Sequence, residues 1–412
     1  IFLRYTSTLN KNGVNMKEKF KFQNIVVVTF ALLLAFAIAF ACVFSHIGGV
    51  CNAATDFKTV GKSAYMVDYA TGTVLYARGE NERLPIASMV KIMTSLLTLE
   101  CVDSGKISLD DDVVVSQNAA SMGGSQVFLD ANSTHKVGDL LKTVIVASAN
   151  DSCVALAEHI SGSIEAFVAR MNERAEQLGM KNTVFKNCTG LPAAESFSSA
   201  KDVSIMFSEL IKHPVYFDYS KVWFEDYKHP NGRTTTITNT NKLVKFYQGC
   251  DGGKTGFTSE AKFCLCATAM RNNMRVISVI IGADSSKVRN AAVSASFDYA
   301  FANFSNKVML KGGEKLDVVA NVSGGKQYSV SVAAERDLTR FVGLDDKAKY
   351  DVIFEIKDVK APVKAGDKVG VAKLVKDGVE IDSVSVVSLE DVQSRNLFDA
   401  IQDIARHWST VK

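Results

Sequence analysis

The chain has 412 residues, enough for two domains with separate cores or for one large domain with an appendage. Its composition, 47% hydrophobic and 22% charged, is that of a folded globular protein, and a net charge of +3 is too small to argue for nucleic acid. No basic run interleaves with aromatics and no zinc-finger or phosphate-loop spacing occurs, so no nucleic-acid partner, metal or other cofactor is expected.

In chain order, the first signal begins at Met16. MKEKFKFQN is followed by an unbroken apolar run over residues 25 to 44 and then by VCNAA at 50 to 54. That order is expected of a secretory signal cleaved near Ala53, with residues 1 to 15 as upstream sequence. An uncleaved membrane helix is the alternative, since the run is just long enough to span. Either way, residues beyond 54 are expected outside the cytoplasm, at the outer face of the membrane or in the cell wall. Of eight cysteines, Cys42 and Cys51 fall in this leader. The other six sit among apolar neighbours and are expected to be buried free thiols. Cys264 and Cys266, two apart on a probable strand, should share a face.

Residues 63 to 79 predict a hairpin around Ala70-Thr71-Gly72, and an apolar helix is expected from Ser88. Residues 137 to 160 carry helical spacing on both sides of a polar Ser-Ala-Asn-Asp break, and 164 to 178 predict an amphipathic helix stopped by Gly179. Residues 261 to 283 predict two apolar strands joined by Arg271-Asn272-Asn273. Strands at both ends with helices between them imply an α+β domain, its helices packed on an antiparallel sheet. After about residue 303 the segments LDVVANV, YSVSVAA, YDVIFEI and VEIDSVSVV alternate at period two between turn pairs such as Gly324-Gly325 and Asp377-Gly378. The expected domains are therefore a leader over 1–53, an α+β domain over 54–302 and a small all-β domain over 303–387. Residues 388–412 are expected to form an amphipathic helix with Leu397, Ile401, Ile404 and Trp408 on one face. That face is expected to lie on a membrane surface, docking on the β domain being the alternative.

One residue of PIASMVKIMTSLLTL, residues 85 to 99, stands out chemically. Lys91 lies one turn into a helix otherwise apolar enough to be buried, on the face of Ser88. Desolvation there lowers an amine's pKa from its usual value of about 10.4. A neutral amine can take the proton of a serine hydroxyl and so activate it as a nucleophile. Ser-x-x-Lys alone is weak, for it recurs at Ser133, Ser198, Ser259, Ser323 and Ser409. Ser148-Ala149-Asn150 is likewise repeated in type at Ser116 and Ser394, whereas Lys254-Thr255-Gly256 is the single Lys-[Ser/Thr]-Gly. Together and in this order, at helix start, interhelical break and strand, they form the signature of β-lactamases and penicillin-binding proteins.

The sequence resembles the D-alanyl-D-alanine carboxypeptidases among the low-molecular-mass penicillin-binding proteins. ASMVKIMTSLLTLE, MGGSQVFL, ASANDSCVALAEHISGS, NTNKLV and DGGKTGFTSEAKFCLCATA carry the likeness over most of residues 60 to 285. The β-rich region and the amphipathic tail also match the family's arrangement. Gly253 is a departure, standing where a larger apolar residue is common. The resemblance implies a transpeptidase-like catalytic domain acting on peptidoglycan stem peptides ending in D-Ala-D-Ala, and acylated by β-lactam antibiotics. It implies Ser88 as nucleophile and Lys91 as its base. Ser148 would relay a proton to the leaving D-alanine, and Asn150 would hold Lys91 and the substrate amide. Lys254 and Thr255 would take the terminal carboxylate, and Gly256 would let the substrate backbone lie against the strand. The N–H groups of Ser88 and Phe257 would form the oxyanion hole, worth about 3 kcal/mol per donor.

Two other readings share these motifs. A β-lactamase of the kind that holds its deacylating water on a glutamate is disfavoured, because no Glu-x-x-x-Asn loop is recognisable between Asn150 and Lys254. A catalytically silent penicillin-sensing or wall-binding module would have no need of a buried lysine. A Ser-His-Asp hydrolase is disfavoured by the absence of Gly-x-Ser-x-Gly, the six histidines being scattered.

Overall fold

Residues 63 to 79 form the expected hairpin, β1 (Ser63–Asp68) and β2 (Val74–Arg78) pairing antiparallel with Gly72 at φ 69° in the turn. The computed structural model describes residues 60–396 together with Asp399 and Ile401. The expected leader, and the apolar face assigned to Leu397, Ile404 and Trp408, lie outside the described residues.

The helices follow: α1 (Lys91–Asp103), α2 (Val137–Val146), α3 (Asn150–Ser161), α4 (Ile164–Gln177) and α5 (Ala200–Leu210). Then come β3 (Cys250–Thr258), β4 (Lys262–Arg271), β5 (Met274–Ala283) and α6 (Ser286–Asn303). The strands make one antiparallel sheet in the order β2-β1-β5-β4-β3. First and last parts of the domain thus meet in mid-sheet, and β3, which carries Lys-Thr-Gly, is an edge.

Side chains alternate across the sheet, so both of its faces are buried in different cores. Tyr65 and Val67 point into the core under α1 to α5, while Ala64 and Met66 point into a second core with Val293, Phe297 and Ala300 of α6. This is why β1 is buried at every position instead of alternating. Cys264 and Cys266 both face the first core, as period two requires. The turn between β4 and β5 places Asn272 and Asn273 at φ 48° and 62°, the two-residue geometry that suits the right-handed twist of a hairpin.

From Phe304 the chain is all β. The strands are β6 (Phe304–Leu310), β7 (Lys315–Ser323), β8 (Ser329–Ala334), β9 (Leu338–Gly343), β10 (Tyr350–Ile356), β11 (Val359–Lys360), β12 (Lys368–Lys376) and β13 (Val379–Ser388). Six form a sheet in the order β10-β12-β13-β8-β7-β11, and β6 pairs with β9. The β6–β9 pair joins the two halves: Phe304 and Phe341 stack within the α6 core, and Asn306 Nδ2 donates 2.8 Å to Asp68 Oδ1 on β1.

The end of this region differs from the expected boundary at 387. Residues 389 to 396 are not helical: after a bend at 389–390 they join the β structure through two bridges. Val392 is buried and bridges Val363, and Ser394 bridges Gly325. Val392 is an apolar residue of the β core, so its spacing from Leu389 imitates a helical stripe. A helical start falls later, at Asn396. Its Oδ1 accepts from Asp399 N at 2.8 Å, and Asp399 Oδ2 accepts from Asn396 N at 3.0 Å, a reciprocal cap.

Candidate active site

Ser88 lies in a 3₁₀ turn, Ala87–Val90, that runs directly into α1 at Lys91. Ala87, just before it, is held at φ 48°, a conformation that costs a non-glycine residue about 1–3 kcal/mol and persists only where its surroundings enforce it. Lys91 is fully buried. Its Nζ lies 3.2 Å from Ser88 Oγ and donates 2.6 Å to the carbonyl of Thr189. Burial pushes its pKa below the usual lysine value, and the nearby Cys153, Cys188 and Asp151 oppose that only in part.

Two glycines enforce the turn. A Cβ on Gly190 would fall 2.0 Å from Ala87 O, and one on Gly256 would fall 2.5 Å from Ile86 O. The backbone that carries Ser88 is therefore gripped between the loop at 187–191 and strand β3. The resemblance gives Gly256 the task of admitting substrate backbone; the space it vacates here admits the nucleophile's own turn. Asn187 shapes the opposing loop, its Oδ1 accepting from the N–H groups of Thr189 at 3.1 Å and Gly190 at 2.7 Å. That turn presents the Thr189 carbonyl to Lys91.

Ser148 occupies the break between α2 and α3 at φ 64°, a second strained non-glycine position beside the site. Its Oγ accepts from Lys254 Nζ at 2.8 Å. Lys254 is buried, and desolvation, followed by the charge of Lys91, drives its pKa well below the usual value. Two amines and two hydroxyls thus face one another in a largely dry site.

Asn150 is placed differently from the expectation that it holds Lys91. Its Nδ2 donates 2.6 Å to Gly123 O, while its Oδ1 is buried with no partner among the described residues. The carbonyl of Thr189, not the amide of Asn150, is the acceptor for Lys91. Next to it, Asp151 accepts from the N–H groups of Val127, Leu129 and Ser152 and so fixes the 123–129 loop over the site. Burial raises the Asp151 pKa, and these N–H donors work against that rise.

On β3, Gly253 N donates to Tyr216 Oη at 2.9 Å, so its N–H points away from β4. Main-chain N–H groups alternate sides along a strand, so those of Thr255 and Phe257 also point to the free edge, where the Ser88 turn packs. The departure at Gly253 has a steric reason: a Cβ there would lie 2.6 Å from Cys266 O and 2.7 Å from Asn241 Nδ2.

The structure therefore brings Ser88, Lys91, Ser148 and Lys254 close to one another, with Gly256 packed against the Ser88 turn, Thr255 and Phe257 beside it on β3, and Asn150 bonded to Gly123 O. Sequence reasoning missed Thr189, Gly190, Asn187 and the role of Asp151. Asn187-x-x-Gly190 was legible as a turn, but a backbone carbonyl acting on a distant lysine leaves no side-chain signal. Among the described residues, no group of three His, Cys, Asp or Glu is placed to hold a metal.

Comparison with known proteins agrees with this geometry. Residues 51–285 match the family model of D-alanyl-D-alanine carboxypeptidases, and residues 304–394 that of the C-terminal domain of penicillin-binding protein 5. The second match ends close to the last bridged residue, Ser394. The chain is 41% identical over 355 residues to the D-alanyl-D-alanine carboxypeptidase DacF of Bacillus subtilis, covering 85% of this chain and 90% of that protein. Penicillin-binding protein 5 from Haemophilus influenzae superimposes with a TM-score of 0.67 at 31% identity, over 83% of this chain and 100% of that one. A peptidoglycan synthesis regulatory factor, PBP3, from Streptococcus pneumoniae gives 0.69 at 27% identity, over 82% and 100%.

Proposed function

The chain belongs to the D-alanyl-D-alanine carboxypeptidase family, and from that premise we propose that it removes the terminal D-alanine from peptidoglycan stem peptides through an acyl-enzyme on Ser88. The observation that carries this reading is the 3.2 Å approach of Ser88 Oγ to the amine of a fully buried lysine. As a neutral base, Lys91 takes the Ser88 proton while Oγ attacks the carbonyl between the last two D-alanines. The Ser88 and Phe257 N–H groups receive the developing oxyanion. Lys254 and Thr255 bind the terminal carboxylate. The arriving anion stabilises the protonated form of Lys254 that burial otherwise disfavours. Ser148, hydrogen-bonded to Lys254, passes a proton to the departing amine. Water then releases the acyl group, and β-lactams acylate the same serine.

A penicillinase reading requires a carboxylate free to hold a deacylating water. Asp151, the buried carboxylate whose charge acts on Lys91, is already engaged by three backbone N–H donors. The test is incubation with a pentapeptide ending in D-Ala-D-Ala, with free D-alanine measured and penicillin turnover followed in parallel. Release of alanine with slow penicillin turnover supports the carboxypeptidase; the reverse supports a β-lactamase, and neither supports a silent module.

We further propose an exported protein whose segment beyond Asn396 lies on a membrane surface. Support comes from the helical cap at Asn396 and Asp399 and from Ile401, helical and 54% exposed. No helix among the described residues is long and apolar enough to cross a membrane. Deleting residues 397–412 should release the protein from lipid vesicles without changing its rate on a soluble peptide. Identical partitioning of the two forms would refute the anchor.

A further inference from the structure

Two histidines distant in sequence, His135 and His229, meet on the outer side of the loop that covers the site. His135 follows that loop, on a short strand (Thr134–Lys136), and His229 lies in the hairpin of Phe224–Lys228 and Thr234–Thr238. Their rings meet edge to face with centres 6.0 Å apart, and Tyr227 packs against both. Both histidines are buried.

The loop is held along two edges. On its inner edge Asn150 N donates 2.7 Å to Ser125 O, Asn150 Nδ2 donates to Gly123 O, and Asp151 accepts from Val127 and Leu129. The hairpin holds the outer edge. Thr235 Oγ1 donates 3.3 Å to Val127 O, and Arg233 donates to Phe128 O and pairs with Asp130 at 3.2 Å.

The hydrogen bonds fix which proton each ring carries. Ser133 Oγ gives its one hydrogen to Asp130 O, so at 2.8 Å it accepts from His135 Nε2–H. His135 Nδ1 is then the acceptor for the Tyr227 hydroxyl at 2.6 Å. Thr235, its hydrogen on Val127 O, likewise accepts from His229 Nε2–H at 2.9 Å. His229 Nδ1 faces the Arg233 guanidinium at 3.3 Å, which can only donate. Each ring therefore fits as a neutral imidazole, and a second proton on either would aim a donor at a donor.

The surrounding charges agree. For His135, burial, His229 and Arg233 disfavour the charged form, while Asp139 of α2 and Asp130 favour it; Asp112, on the strand paired with it, is engaged by Lys136 at 2.7 Å. For His229, burial and Arg233 disfavour the charge, and Asp130 and Asp151 favour it. Both pKa values fall below the usual histidine value. Burial raises that of Tyr227, so its hydroxyl keeps the proton it donates.

We propose that His135 and His229 are positioning residues for acylation: as neutral rings they latch the hairpin onto the 123–130 loop and so hold Asn150 at the site, and on protonation they release it. This role rests on Ser88 as the acylated nucleophile. A ring freed from the latch titrates near the ordinary value of about 6.5, whereas the latched ring resists the proton. Opening therefore becomes more favourable as pH falls through that value, with one proton taken up at each ring.

The test compares the full chain with its His135→Gln/His229→Gln variant, since a glutamine amide offers both donor and acceptor and does not titrate. Penicillin acylation of Ser88 is timed from about pH 7.5 to about pH 5, across the histidine range. The Lys91 base alone gives a fall of at most about tenfold per pH unit, set by one proton. Wild type should fall more steeply below about pH 6.5. At about pH 5 it should stand about tenfold lower against the variant than at neutral pH, the size of one lost buried hydrogen bond. Hydrogen exchange reads the loop directly. The N–H groups of Val127 and Leu129 should exchange faster in wild type than in the variant at the acid end, and equally at neutral pH. Should the variant not fold, wild type alone decides: protection of these two amides relative to those of β5 should drop on acidification. Parallel pH profiles, or loop protection that acid does not change, would overturn the latch. Absence of labelling at neutral pH refutes instead the acyl-enzyme reading, and the exchange measurement still decides whether the loop is latched.

Discussion

Lys254 on the edge strand and Ser148 in the break between α2 and α3 are 106 residues apart in sequence and 2.8 Å apart in space, Nζ to Oγ. The contact couples the group proposed to bind the substrate carboxylate to the one proposed to protonate the leaving amine. Lys254→Gln should therefore damage binding and chemistry together. Losing one desolvated charge contact of about 3 kcal/mol corresponds to a fall of about 100-fold in kcat/KM on a free-acid peptide. A C-terminally amidated peptide, which brings no anion, should lose far less. Equal losses on the two peptides, measured by D-alanine or D-alaninamide release, would show that Lys254 does not read the carboxylate.

The pH behaviour of Lys91 follows from its burial. Its pKa is lowered by desolvation, so the neutral amine persists below the usual value of about 10.4. The rate of acylation by penicillin should rise with pH along a limb whose midpoint lies below that value, and Lys91→Arg should abolish it, because guanidinium does not deprotonate. Stability carries the same sign. Above the usual lysine pKa both folded and unfolded states hold a neutral amine. As pH falls through it, the unfolded chain gains a proton that the fold resists, and the cost is complete below the lowered folded pKa. Relative to wild type, Lys91→Met should gain thermal stability as pH drops from about 10.4 towards neutrality. A difference in Tm that does not move with pH would contradict a depressed lysine.

Much of this site was legible because each motif sits where secondary structure changes. A lysine inside an apolar helix, a polar break between two helical stripes and a glycine-ended strand are all violations of local pattern, and such violations mark function. The catalytic sheet was legible because β4 and β5 carry long, mostly apolar runs, buried on both faces. What stayed hidden acts through backbone or through distant packing. Thr189 contributes a carbonyl and Gly190 an absence of side chain. Strands β6, β9 and β12 do not alternate cleanly, because β6 and β9 pack on the catalytic domain through Phe304 and Phe341, and β12 lies inside its sheet. Asn150 turns its amide to Gly123 O while Lys91 turns to Thr189 O, partners that sequence spacing does not reveal.

The grip of Gly190 and Gly256 on the nucleophile's turn predicts steep costs for the smallest possible enlargements. Gly190→Ala would set a methyl 2.0 Å from Ala87 O at a residue that also needs φ 78°; Gly256→Ala would set one 2.5 Å from Ile86 O. Both obstacles are backbone, so the turn itself must shift. Each variant should lose about 1–3 kcal/mol of stability, as overpacked sites do. Acylation should fall by a larger factor than stability alone explains, because Ser88 moves with the turn. Far-UV circular dichroism would confirm a retained fold, and penicillin labelling rates would report the nucleophile. A Gly190→Ala enzyme that labels at the wild-type rate would refute the proposed clamp.

Two buried thiols, Cys153 and Cys188, lie close enough to Lys91 to act on its charge. Cys153 Sγ donates 2.9 Å to Cys188 O, which also accepts from Thr94 Oγ1 at 2.8 Å, and Cys188 directly precedes the Thr189 carbonyl that holds the lysine. The Cys188 thiol is pushed well above its usual pKa by its contact with Cys153 and by burial. All six cysteines of the described residues are buried and unbridged. A maleimide therefore reaches them only when the fold opens. Thiols that need global opening should react more slowly than in urea by orders of magnitude. Modification of Cys153 or Cys188 would leave no room for Thr189 to hold Lys91, so loss of penicillin labelling should track modification of these two, identified by peptide mapping. Rapid modification of the native protein at Cys153, or full penicillin labelling of a Cys153-modified chain, would show that the thiols are neither enclosed nor part of the support for the base.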